Sequence, residues 1–153
     1  MRNNGQVQLI GTSQLVSELR AEIERVARSD AKVLVTGESG TGKEVVARAI
    51  NGLSTRAQGF VPVNCAGIPE TLLESELFGH VRGSFTGAYR DKPGLLEMAP
   101  HGTVFLDEVG EMSTRMQAVL LRFLESGEIQ RVGADRAHTH VNVRLITATN
   151  RDL

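Results

Sequence analysis

Four apolar runs separated by helical patterns organise the chain. Val33-Leu34-Val35, Phe60-Val61-Pro62-Val63, Thr103-Val104-Phe105-Leu106 and Val143-Arg144-Leu145-Ile146-Thr147-Ala148 have the length and β-branched content of strands. Between them, apolar residues recur at helical spacing. Val16, Leu19, Ile23, Val26 and Ala27 mark a first helix, with Ser13 as its N-cap and an end near Ser29-Asp30. A second helix begins after Gly42 and runs to about Leu53. Pro69 opens a third, acidic one from Glu70 to Phe78, and residues 94–99 suggest a short fourth. Ser113 caps the best amphipathic helix, in which Met116, Val119, Leu120, Phe123 and Leu124 share a face and Gly127 ends it. Residues 128–133 read as a strand that pairs with 139–141 in a small hairpin. Strands alternating with helices predict an α/β fold: a doubly wound, three-layer αβα sandwich with a mainly parallel sheet. Pro62 cannot donate to a sheet ladder, so its strand is expected at an edge.

The first candidate chemistry falls between the first strand and the second helix. Gly37-Glu38-Ser39-Gly40-Thr41-Gly42-Lys43-Glu44 fits the strand–loop–helix setting of a phosphate-binding loop. Glycines let successive backbone N–H groups turn inward on phosphate oxygens, and the helix adds its positive end. Lys43, one of three lysines, would reach the β- and γ-phosphates. Glu44 stands where a hydroxyl normally meets Mg2+, so an ordinary glycine-rich turn remains the competing reading. A second motif weighs against that reading. Asp107 and Glu108 end an apolar run about 65 residues later, as in a Walker B strand. Asp107 would hold Mg2+, directly or through water, and Glu108 would orient the attacking water. Taken alone, the pair also fits a strand followed by a helix-capping acid. Nucleotide is expected at the carboxyl ends of the strands, where Lys43, Asp107, Glu108 and Asn150 would converge.

The stretch Gly83-Ser84-Phe85-Thr86-Gly87-Ala88 lies in a segment, 79–89, whose glycines are expected to break any regular element. It reads either as a surface loop with one buried Phe or as a mobile loop that presents Phe85 and Thr86 to a partner. His138 and His140 lack accompanying ligands, so no metal site is expected there.

Composition narrows the remaining choices. The 153 residues suffice for one domain that buries about 70% of its unfolded surface. A net charge of −1 gives no electrostatic footprint for nucleic acid. The single cysteine, Cys65, excludes an internal disulfide and suits a reducing compartment. No apolar run approaches membrane-spanning length, and a cytoplasmic location is expected.

Six motifs in order, GESGTGKE, ESELFGH, GSFTGA, GTVFLDEVGE, LLRFLESGEIQRVG and VNVRLITATNRDL, resemble the AAA+ ATPase domain of bacterial enhancer-binding proteins. These are the sigma-54-dependent transcriptional activators of the NtrC and NorR type, and the resemblance covers about residues 8–153. It implies an AAA+ nucleotide-binding subdomain over 10–153, after a lead-in at 1–9. That family's phosphate loop itself carries Glu after Lys, so Glu44 is compatible with ATP. Residues 83–88 are similar to its GAFTGA loop, which contacts sigma-54, with Ser84 where Ala is usual. The resemblance further implies that Asn64 holds the catalytic Glu108 inactive until sigma-54 is engaged. It places Thr149 and Asn150 in the sensor I region, Ile10-Gly11 along the adenine pocket and Arg131 near a subunit interface. The implied action is ATP-driven remodelling of sigma-54 RNA polymerase from closed to open promoter complex, in a ring that is usually hexameric. A nucleotide-responsive binding module with little hydrolysis and another partner is the alternative. Arginine fingers, the helical lid and a DNA-binding domain are expected C-terminal to Leu153. The 153 residues alone are therefore expected to bind nucleotide weakly and to hydrolyse it very slowly or not at all.

Overall fold

A computed structural model of the chain describes residues 14–29, 32–37, 42–54, 59–99, 101–134 and 138–150. In chain order the elements are α1 (Gln14–Ala27), β1 (Val33–Thr36), α2 (Lys43–Leu53), β2 (Phe60–Asn64), α3 (Glu70–Phe78), β3 (Gly79–His80) and β4 (Lys92–Pro93). They continue with α4 (Leu95–Met98), β5 (Thr103–Asp107), α5 (Thr114–Ser126), β6 (Glu128–Gln130), β7 (His138–His140) and β8 (Arg144–Thr149). The expected strands and helices all form. Ser13 lies outside the described residues.

The main sheet has four parallel strands in the order β1-β8-β5-β2. Pro62 therefore sits on an edge strand, as its missing donor requires. Alternation along the central strands divides the core in two. Phe105, Ile146 and Ala148 face α1 and α2, packing with Ile23, Ala27, Ala47 and Ile50. Val104, Leu106 and Leu145 face the opposite way, onto Leu73, Leu77, Leu96, Met116, Leu120 and Phe123 from α3, α4 and α5. Each fully buried Leu, Ile or Phe contributes roughly 1.5–3 kcal/mol. The result is the three-layer αβα sandwich that the alternating elements predicted, in which helices cover both faces of a parallel sheet.

Helix ends follow local chemistry. Met116 N–H donates to Ser113 Oγ at 3.1 Å, and Gly127, at φ 72°, donates its N–H to Phe123 O. The 79–89 segment departs from expectation, because its first two residues form β3. This strand pairs antiparallel with β4. His80 is also bridged to Val132, just after β6 in the connection to β7. Glycine did not break the strand, because it found partners on two sides: β4 on one, and Val132 on the other, whose N–H donates to Gly79 O and whose carbonyl accepts from Val81 N–H.

Candidate functional site at the carboxyl edge of the sheet

The strands end in register at one edge. Thr36 lies opposite Thr149, and Asn64 opposite Asp107. The residues that follow these ends are Gly37, Asn150 and Glu108. Topology therefore brings together the start of the phosphate loop, the acidic pair and the polar end of β8 where an open α/β sheet binds its ligands. Gly37 N–H donates to Thr149 O at 3.3 Å, tying the loop's entry to the end of β8.

Gly42 leads into α2 at φ 86°, ψ 29°, a left-handed backbone that a side chain would strain. Lys43 follows and is 7% exposed, and its ammonium donates to Gly37 O at 2.9 Å. The lysine is thus folded back toward the loop it is expected to serve. Glu44 points away, pairing with Arg48 one turn on at 3.2 Å, while Arg48 lies over the Phe60 ring at 4.7 Å. The carboxylate that replaces a hydroxyl is therefore spent along the helix surface. Ile10, Gly11, Glu38, Ser39, Gly40 and Thr41 lie outside the described residues.

The acidic pair is divided by its backbone. Asp107 ends β5, and its carboxylate accepts from Glu108 N–H at 2.9 Å. Glu108 has φ 59° and ψ 43° and opens a 3-10 turn, Val109–Glu111. A non-glycine residue in this region costs on the order of 1–2 kcal/mol, and such strain clusters at functional sites. On the neighbouring strand, Asn64 Oδ1 accepts from Ala66 N–H at 3.0 Å and caps the turn Cys65–Gly67. Among the described residues no hydrogen bond joins Asn64 to Glu108. Cys65 lies beneath, and burial, then the charge of Asp107, pushes its thiol up to about 12. Asp107 and Lys43 suit a magnesium–polyphosphate ligand, because Mg2+ takes few protein carboxylates and keeps water and phosphate oxygens. Among the described residues no cluster of three or more His, Cys, Asp or Glu forms a metal cage.

The loop at 83–88 stands beyond α3 and is internally closed. Gly83 N–H donates to Ala88 O at 2.8 Å, Ala88 N–H to Phe85 O at 3.1 Å and Ser84 N–H to Val81 O at 3.2 Å. Arg82 N–H donates to the Asp91 carboxylate at 2.7 Å across its base. Thr86, Gly83 and Gly87 are exposed and Phe85 is 41% exposed, whereas Ala88 is buried and anchors the turn. Ser84 Oγ is buried without a hydrogen-bond partner in the described structure. Arg131 forks onto Glu97 of α4 at 3.0 and 2.9 Å, fixing the chain beside Val132. Sequence reasoning missed Asp91, His80 and Gly133 as supports of this loop. Their contacts cross between segments with no shared periodicity, so no local signal marks them.

Residues 9–153 match the family described as the sigma-54 interaction domain. The chain is 56% identical over 149 residues to the anaerobic nitric oxide reductase transcription regulator NorR of Escherichia coli O1:K1, covering 97% of this chain and 29% of that protein. It thus spans about three tenths of the length of the curated relatives it matches. Among solved structures, NtrX from Brucella abortus in complex with ADP superposes with a TM-score of 0.82 at 41% identity, over 99% of this chain and 33% of that chain. The P-loop NTPase domain of an Escherichia coli sigma-54 activator superposes with a TM-score of 0.60 at 18% identity, over 92% of this chain and 80% of that one, a likeness of fold. Registered strand ends, a phosphate-type loop and the family match over nearly the whole sequence lead to one assignment: the chain belongs to the sigma-54 interaction domain family, with an α/β P-loop NTPase fold.

Proposed function

We propose that this chain is the ATP-binding and ATP-hydrolysing motor domain of a transcription activator that remodels sigma-54 RNA polymerase through residues 83–88. The observation that carries the reading is the alignment of Lys43, Asp107, Glu108 and Asn150 at one sheet edge, with β2 and α3 connecting that edge to the loop. Lys43 takes the phosphates, Asp107 the magnesium ion and Glu108 the attacking water, with Asn64 and Asn150 beside them. Magnesium, when bound, neutralises charge on the β- and γ-phosphates. Asn64 begins the turn that leads through Cys65–Gly67 into α3, so a change at the γ-phosphate has a covalent route to the loop. Ile10 and Gly11 complete the adenine side, and neighbouring subunits of a ring complete the site. The solved NtrX complexes with ADP and ATP support nucleotide binding by this fold. A cytoplasmic setting and DNA contact through a separate domain belong to the same reading.

Ser84 departs from the usual loop, but its hydroxyl is buried and does not face a partner. It therefore gives no reason to assign the loop to something other than sigma-54. The test is capture of the chain on immobilised sigma-54 with and without an ATP transition-state analogue, beside Thr86→Ala. Capture lost in the variant, with nucleotide binding intact, is the expected result. Undiminished capture of Thr86→Ala contradicts the assignment of the loop.

A further inference from the structure

His80 is 9% exposed at the foot of the loop, and its ring holds two side chains at once. Ser75 Oγ, on the last turns of α3, and His80 Nδ1 share a hydrogen bond of 2.7 Å. The Phe85 ring meets the imidazole edge-to-face, with centroids 4.8 Å apart and planes at 71°. Gly79 N–H donates to Ser75 O, and Val132 is bridged to His80, so the imidazole backbone is pinned on both sides. Phe85, by contrast, belongs to a turn, 83–88, whose backbone hydrogen bonds stay within residues 81–89, with Gly83 and Gly87 on either side at φ 81° and 98°. A pinned imidazole thus faces a hinged aromatic. Phe85 is 41% exposed, so more than half of a side chain that partner binding needs free is covered in this state, with the imidazole against its ring.

We propose that His80 is a positioning residue that docks Phe85 in a sheathed state, and that undocking of Phe85 from His80 is what presents it to the partner. The proposal rests on the reading of residues 83–88 as the sigma-54 loop. Ser75 sets the plane of the imidazole, so a small rotation of α3 turns the dock away from Phe85. That links the helix that follows Asn64 to the aromatic tip through one hydrogen bond and one ring contact. Edge-to-face pairs are weak enough to break in such a step and strong enough to bias it. The lost ring contact must be offset by the partner pocket that receives Phe85, so the dock competes directly with partner binding.

The test places 4-fluorophenylalanine at position 85 of the full chain and reads its ring exposure from relaxation by a soluble gadolinium chelate. His80→Ala is expected to raise that relaxation by up to about twofold, the limit set by the covered part of the side chain. Ser75→Ala keeps the imidazole but frees its plane, and should give an intermediate rise; His80→Phe restores an aromatic edge and should return the signal toward the parent. In parallel, nucleotide-free capture on sigma-54 should rise about two- to tenfold in His80→Ala. Unchanged relaxation in both His80→Ala and Ser75→Ala, with melting temperatures preserved, overturns the dock. A freed ring with unchanged capture overturns its role in presentation. If the parent chain is captured in no nucleotide state while the relaxation rises as expected, the dock stands and the reading of the loop as a sigma-54 contact is what fails.

Discussion

A Cβ placed on Gly133 lies 2.5 Å from the Cβ of Ser84, closer than two such carbons approach. Gly133 also has φ 81°. The segment after β6 therefore seats against the 83–88 loop only because residue 133 has no side chain. Gly133→Ala is expected to cost about 1–3 kcal/mol through strain and overpacking. Ser84→Gly should relieve part of that cost, so the pair is non-additive. Chemical denaturation of the four proteins of the double-mutant cycle checks this, and strict additivity contradicts the contact.

Ser84 itself buries a hydroxyl with no partner in the described structure. An unsatisfied buried polar group costs about 1–3 kcal/mol, so Ser84→Ala should stabilise the chain by about 1 kcal/mol. The urea midpoint reads the change, and a fall instead of a rise shows that the hydroxyl has a partner.

Features set by local chemistry were legible in the sequence, and those set by long-range contacts were not. Pro62 announced an edge strand because it lacks a donor, and Ser113 and Gly127 announced both ends of α5 through their caps. Asp107 and Glu108 stood out because charge ends an apolar run. The left-handed backbone of Glu108 was invisible, since only tertiary structure holds a non-glycine residue there. β3 was missed because two residues show no period. Arg144, inside an apolar run, gave no sign of its partners on α1, more than a hundred residues away. The loop's outline was legible from its glycines, but not its supports at His80, Asp91 and Gly133.

Arg144 is 3% exposed and donates from Nη2 to Val26 O at 2.7 Å and from Nη1 to Ala27 O and Ser54 Oγ at 3.4 Å. It thus satisfies carbonyls at the C-terminal end of α1, where a cation is also favoured by the helix dipole. Arg144→Met removes the guanidinium donors to Ala27 O and Val26 O, the latter keeping Ser29 N–H and Oγ, and should destabilise by about 1–3 kcal/mol. Equilibrium unfolding measures it, and a loss below about 0.5 kcal/mol contradicts the staple.

Cys65 keeps its proton through the physiological range, because burial first and the Asp107 carboxylate second raise its pKa from 9.0 to about 12. The neutral thiol is the favoured folded form. Its contribution to stability is therefore complete below pH 9 and declines as pH rises from there toward 12. Native chain should resist iodoacetamide at pH 8, while urea-unfolded chain reacts readily. Fast alkylation of folded protein contradicts the burial.

Binding of ATP at the carboxyl edge of the sheet is the central claim, and Lys43 tests it most directly. The melting temperature of the chain is followed by circular dichroism as ATP and Mg2+ are added, with Lys43→Ala alongside. At ATP about a hundredfold above Kd, the parent should gain about 5–10 °C and the variant little or nothing. An equal gain in both proteins, or none in the parent at saturating ATP, contradicts the account.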